Sequence, residues 1–152
     1  MKREGASSAT LPDCRGKRFA IVAARFYRDL TDHLIDGARR ALRDCGVAEG
    51  AIDTFDVSGC FELPFACKRV GTRGYDGIVA VGAVIRGDTP HFDFVAGECA
   101  RGIMDVQLQT GVPIGFGVLT TETLAQAEER ADPARLDKGY EAALAVAALA
   151  TL

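Results

Sequence analysis

No apolar run in this chain approaches the ~20 residues needed to span a bilayer, so a membrane-embedded protein is not expected. The first stretch, Met1 to Gly16, is polar and irregular. It lacks the apolar h-region of a secretory signal and reads as a flexible N-terminal arm. There is no C-x-x-C, and the five cysteines (Cys14, Cys45, Cys60, Cys67 and Cys99) are odd in number and widely spaced. Neither a disulfide framework nor a thiol redox pair is indicated, and a reducing cytoplasm is the expected home. Only two histidines occur, His33 and His91, too far apart to seed a metal cluster. Lys and Arg are scattered rather than striped, and the net charge is −3 with a pI near 5.4. A nucleic-acid or anionic-membrane partner is therefore not expected. There is no internal repeat and no low-complexity linker.

What remains is a 152-residue chain that is 48% hydrophobic, enough for the core of one domain. We place that domain at residues 17–152. Short apolar runs of strand length fall at Phe19 to Ala24, Ile52 to Val57, Gly77 to Val84 and Pro113 to Val118. Between them lie helical stripes. Leu30, Leu34, Ala38, Ala41 and Cys45 recur at spacings of three and four. Asp29 is placed to cap that helix and Gly46 to end it. Pro64 suits the first turn of a second helix, running to about Val70. A third runs from His91 to Thr110, a short one from Thr123 to Ala131, and a last one from Lys138 to about Leu152. Continuous apolar strands alternating with helices predict a parallel sheet covered on both faces. The third helix carries two apolar stripes. Phe92, Val95, Cys99, Ile103 and Val106 can cover the sheet. Phe94, Met104 and Leu108 need cover from elsewhere in the chain or from a neighbouring subunit. The last helix is Ala/Leu-rich on nearly all sides and points the same way.

In such sheets ligands bind beyond the C-terminal ends of the strands. Four turns are expected there: Arg25 to Asp29, Ser58 to Glu62, Ile85 to Pro90 and Leu119 to Thr121. The third has the most chemistry. Gly82-Ala-Val-Ile-Arg-Gly-Asp-Thr-Pro-His-Phe-Asp-Phe-Val95 passes from a strand into a helix through two glycines. Free N–H groups and the positive end of a helix dipole make such a turn a seat for phosphate. His91, whose side chain type titrates near neutral pH, stands beside it. Gly82 and Gly87 have the spacing of a P-loop, but Asp88 stands where that motif needs lysine, which excludes the nucleoside-triphosphate reading. No G-x-G-x-x-G follows the first strand, and no nucleophile elbow is present. Each candidate also has a plain structural reading. His91 can be a capping residue, Glu62 and Arg130 can simply complement helix dipoles, and Phe26 can be a lid on nearby helices rather than a stacking surface.

Five segments considered together favour a functional reading: Gly59 to Pro64, Gly82 to Val95, Gly117-Val-Leu-Thr-Thr121, Gln126-Ala-Glu-Glu-Arg130 and Lys138-Gly139. In order and spacing, from Phe19 to the C-terminus, they resemble the 6,7-dimethyl-8-ribityllumazine synthase family. The resemblance implies a flavodoxin-like three-layer α/β sandwich with a four-stranded parallel sheet. It implies condensation of 5-amino-6-(D-ribitylamino)uracil with 3,4-dihydroxy-2-butanone 4-phosphate, with loss of phosphate and water and with no cofactor. By motif, His91 resembles the family's proton carrier. Phe26 matches the residue that stacks on the pyrimidine. Cys60, Phe61 and Glu62 match the turn that holds the ribityl chain and ring, and Ala83, Val84 and Ile85 the strand end that reads the ring edge. Phe116 resembles an aromatic contributed by the adjacent subunit. Arg130 resembles the phosphate-binding arginine, with Thr89, the backbone of Asp88 and Lys138 beside it. The resemblance also implies a homopentamer as the minimal unit, a sixty-subunit shell as one further assembly, and riboflavin synthase as a partner. Tyr27, Ser58, Asp88 and the link Asp132 to Asp137 depart from the family's usual residues. A flavin or lumazine carrier, a signalling domain and a structural shell protein are the competing readings. The carrier is opposed by the presence of both His91 and Arg130, and the signalling domain by the absence of acidic residues clustered at the strand ends.

Overall fold

The computed structural model describes residues 10–152. Four parallel strands, β1 (Phe19–Ala24), β2 (Ile52–Val57), β3 (Gly77–Ile85) and β4 (Ile114–Thr121), lie in the order β2-β1-β3-β4. Helices α1 (Arg28–Asp44), α2 (Leu63–Val70), α3 (His91–Thr110), α4 (Leu124–Ala131) and α5 (Lys138–Ala150) cover both faces. This is the three-layer α/β sandwich expected from the sequence. The alternation of β1 divides the core. Phe19, Ile21 and Ala23 pack with α1, α4 and α5, whereas Ala20, Val22 and Ala24 pack with α2 and α3. Every residue of β1 is buried because it is central and has helices on both sides.

Local chemistry sets the boundaries. Leu30, Leu34, Ala38 and Ala41 form the buried stripe of α1, and Gly46, at φ +93°, turns the chain out of it in the left-handed region. The N-cap of α1 is Tyr27, with no side-chain cap, and Asp29 falls inside the first turn, not at the cap. Thr31 anchors this helix start instead, its buried hydroxyl donating to the carbonyl of Ala24 at 2.6 Å. Pro64 sits in the first turn of α2, where its missing N–H has no intrahelical partner to lose. Thr123 and Gln126 close a capping box on α4.

The fourth strand runs three residues past the expected Val118. Leu119, Thr120 and Thr121 continue the ladder opposite Ala83, Val84 and Ile85. The β-branched threonines fit the pleat, and Thr121 turns inward to donate its hydroxyl to the carbonyl of Thr123 at 2.9 Å. Two short 3-10 turns, Glu49–Ala51 and Cys60–Glu62, fall where only loops were expected.

The α1–α5 contact depends on Gly139. A Cβ there would overlap the carbonyl oxygen of Leu34, so only glycine lets the helices meet this closely. Ala142, Ala143, Val146 and Ala147 fill the rest of that buried face. The second stripe of α3 finds no cover among the described residues: Phe94, Met104 and Leu108 are exposed, as are Phe61, Phe65 and Phe116. Of the expected N-terminal arm, residues 1–9 lie outside the described residues. Cys14 is buried, its N–H donating to the carbonyl of Cys45 at 2.8 Å. Among the described residues no helix is long and apolar enough to cross a membrane.

Candidate active site

In the order β2-β1-β3-β4 the chain reverses direction across the sheet between β1 and β3, the place where open α/β sheets leave a crevice. A cavity of about 360 Å³ lies there, beyond the C-terminal ends of β1, β2 and β3. Three chain segments build it. Phe26 and Tyr27 come from the turn after β1, and Gly59 to Glu62 from the turn after β2. The last three residues of β3, followed by Gly87, Thr89, His91, Phe92 and Val95, close the third side.

Each segment is held for a local reason. The ring of Phe26 is 74% exposed, so it belongs to no core and is no lid on the helices. Tyr27 meets it edge-on, with centroids 5.0 Å apart and planes at 73°, which leaves a face of Phe26 free to stack. Arg25 fixes the base of this turn by donating to Asp56 at 2.9 Å and pairing with Asp32. In the second segment Phe61 is 62% exposed, and Ser58 donates its hydroxyl to the Glu62 carboxylate at 3.1 Å. That bond aims an acceptor at the cavity wall. Cys60 turns inward beneath Gly82, within 3.7 Å of the carbonyl of Ala83. A hydrogen bond with Cys99 and burial push the Cys60 thiol up, so it stays protonated at neutral pH and is no nucleophile. Gly82 is needed beside it, since a Cβ there would stand 2.8 Å from the Cys60 sulfur and 2.9 Å from the Ala24 Cβ.

The third segment supplies the polar chemistry. The helix start at Pro90 has no side-chain cap. The N–H of His91 reaches only the Thr89 hydroxyl, at a long 3.4 Å. The Asp93 N–H is engaged by the Pro90 carbonyl at 3.0 Å, so the weakly held donor at the start of this 20-residue helix is the His91 N–H, beside Gly87 and Thr89, which suits an anion. His91 is the first residue of that helix and borders the same space. Within one cavity stand a free aromatic face, a backbone strand end, a carboxylate, an anion seat and an imidazole.

The structure brings Phe26, Cys60, Phe61, Glu62, Ala83, Val84, Ile85, Thr89 and His91 to this wall, with Asp88 in the turn between Gly87 and Thr89. Asp88 itself does not line the cavity although both its neighbours do, and three further expected residues lie outside it. Phe116 is 45% exposed on edge strand β4, opposite Ala80 and on the α2–α3 side of the sheet. Arg130, on α4, donates to the carbonyl of Gln126 at 3.0 Å, and Lys138, at the start of α5, pairs with Glu141 at 3.0 Å. Both helices pack on the other face. Phe92, Val95 and Tyr27 line the cavity without having been expected there. The first two belong to the apolar stripe of α3, whose first turn overhangs the strand ends. Tyr27 was legible only as an unusual neighbour of Phe26.

Comparison with known proteins bears on what fills this space. Residues 16–152 match the family model described as 6,7-dimethyl-8-ribityllumazine synthase. The chain is 46% identical to the 6,7-dimethyl-8-ribityllumazine synthase of Streptomyces avermitilis, an alignment covering 100% of this chain and 95% of that protein. It is 49% identical to the protein of that name from Lawsonia intracellularis, over 88% of this chain and 86% of the relative. With the one from Nautilia profundicola it shares 50% identity, over 84% of each.

Proposed function

The chain belongs to the 6,7-dimethyl-8-ribityllumazine synthase family, and from that premise we propose that the cavity beyond β1, β2 and β3 is where it forms the penultimate compound of riboflavin biosynthesis. The single observation that carries the site assignment is the meeting of His91, the open N-terminus of α3 and the free face of Phe26 in one cavity. The pyrimidine of 5-amino-6-(D-ribitylamino)uracil stacks on Phe26. Its polar edge reads the backbone of Ala83 to Ile85, and its ribityl chain lies along Cys60 to Glu62. The phosphate of 3,4-dihydroxy-2-butanone 4-phosphate sits at the Gly87 to Thr89 turn, where backbone donors face it.

The amine attacks the ketone, and loss of water gives an imine. A proton leaves the adjacent carbon, phosphate departs with its bonding pair, and the second amino group closes the ring with loss of a further water. Each step moves a proton and none changes an overall oxidation state that an external acceptor must balance. One imidazole beside both substrates can take and return these protons. Holding two substrates together supplies much of the remaining rate gain.

Phe116, Arg130 and Lys138 do not reach the cavity of their own chain. They serve a neighbouring copy: Phe116 closes the aromatic side, and the Arg130 fork binds the phosphate with Lys138 nearby. Phe94, Met104 and Leu108 are the surface that such a neighbour covers. The minimal unit is then a homopentamer, working in the cytoplasm, with residues 17–152 as one catalytic domain and riboflavin synthase consuming the product.

The test mixes purified protein with both substrates and follows the fluorescent lumazine and released phosphate against the uncatalysed background. His91→Ala is expected to lower kcat by about 10²–10⁴-fold with the assembly size unchanged by light scattering. No product from the wild type, or a stable active monomer, would overturn the reading.

A further inference from the structure

Arg86 stands between two residues of the cavity wall, Ile85 and Gly87, yet does not itself line the cavity. Its side chain runs across the strand ends instead. Nε donates to the Glu122 carboxylate at 2.7 Å and Nη2 to the Asp93 carboxylate at 3.3 Å. Its guanidinium carbon lies 4.4 Å from the centroid of the Phe92 ring. Its backbone N–H extends the β3–β4 ladder by donating to the carbonyl of Thr121 at 2.9 Å. Each partner adjoins a residue of the site. Phe92 and Asp93 follow His91 directly, and Phe92 lines the cavity. Glu122 precedes Thr123, which caps α4, the helix of Arg130.

We propose that Arg86 is a positioning residue that sets the first turn of α3, and with it the His91 imidazole, against the cavity wall. This rests on the synthase reading and deepens it. A planar fork does here what a point charge cannot. It bonds in its plane to carboxylates on two different elements while its face covers an aromatic ring on one of them. The uncapped start of α3 makes that outside support necessary, because no side chain within the helix fixes its first turn. The side chain of Arg86 is 37% exposed, and ion pairs this open to water contribute little to stability. The arrangement therefore matters to geometry more than to folding. An alternative reading as an ordinary surface ion pair gives the opposite expectation for turnover.

The experiment compares wild type, Arg86→Ala, Arg86→Lys, Glu122→Gln and His91→Ala in the two-substrate assay, with thermal unfolding and light scattering on each. Arg86→Ala is expected to lower kcat about tenfold while KM for both substrates, melting temperature and particle size hold. Arg86→Lys recovers little, since it can neither fork nor stack. Glu122→Gln falls between wild type and Arg86→Ala, and adding it to Arg86→Ala changes nothing further. The proposal is overturned by an undiminished kcat in Arg86→Ala, by full recovery in Arg86→Lys, or by a kcat loss that tracks a loss of melting temperature. It is equally overturned by a raised KM for the phosphate substrate at constant kcat, which would make Arg86 a direct ligand. No product from the wild type overturns the synthase reading and this proposal with it. A working wild type, a His91→Ala lowered as expected and a fully active Arg86→Ala overturn this proposal alone.

Discussion

Replacing Gly82 with alanine adds one methyl group at the point where β3 backs the cavity wall. That methyl would stand 2.8 Å from the Cys60 sulfur and 2.9 Å from the Ala24 Cβ. Apolar atoms in contact prefer about 3.5–4 Å, so the wall must give by the better part of an ångström on one side or the other. Ala24 ends a strand that is buried along its whole length and cannot move far. Cys60 opens a short 3-10 turn and can. The displaced element is then the turn carrying Phe61 and Glu62. Overpacking of this kind costs about 1–3 kcal/mol, and for a chain of this size each kcal/mol lowers the melting temperature by about 2–4 °C. A misplacement near 1 Å can cost about 10²-fold in rate, so kcat/KM should fall more than stability does. Thermal unfolding and the lumazine assay, run on one preparation, read both. Cys60→Ala in the same chain removes the sulfur and should restore part of each loss, giving a coupling of about 1 kcal/mol. If Gly82→Ala is silent in both measurements, or if Cys60→Ala deepens the losses, the close approach at Gly82 does not shape the site.

Two further outcomes can be measured, the first from the proposed role of Arg130 and the second from a hydrogen bond of α5. Arg130→Ala should raise KM for the phosphate substrate about tenfold or more, the scale of a lost charge-assisted hydrogen bond, and leave KM for the pyrimidine near its wild-type value. Steady-state kinetics with each substrate varied in turn would show it. Tyr140 donates to the Asp44 carboxylate at 2.6 Å, and this bond together with partial burial pushes its phenol up to about 12. The protonated phenol is the bound form, so its contribution to stability is whole below about pH 10, the ordinary tyrosine value, and is lost as pH rises through the folded value. In urea melts the gap between wild type and Tyr140→Phe should hold at neutral pH and close on the alkaline side. A gap that survives to pH 12 would refute it.

Much of the fold could be read from the sequence because its signals are local. The bounds of β1, β2 and α3 follow from apolar runs and from the proline and glycine between β3 and α3. The misjudged end of β4 has a tertiary cause. Thr120 and Thr121 look like turn residues until β3 is found to extend alongside them. The N-cap of α1 failed similarly, since a buried hydrogen bond from Thr31 anchors the helix where Asp29 would have capped it. At the site, His91, Phe26 and the Gly59 to Glu62 turn were legible from turn chemistry and motif. Phe92 and Val95 were not, because a half-buried stripe gives no sign of which end overhangs a cavity. Phe116, Arg130 and Lys138 came from motif alone, and no contact within one chain would have revealed them.

The strand order has a consequence for how the molecule comes into being. β1 lies between β2 and β3, and Phe19 pairs with Gly77 only after two helices and a strand have been made. Such distant parallel pairing is slow to form, because the loop entropy is lost before the contacts accrue. A chain emerging from the ribosome therefore holds its first aromatic turn, Phe26 and Tyr27, long before the strand that will face it exists. No N-terminal fragment ending before β3 can contain the cavity, and the central pairing of the sheet is also what creates the binding wall. Recovery of activity during refolding must therefore trail the closure of β1 against β3, because it also waits on the neighbouring copy that brings Phe116, Arg130 and Lys138.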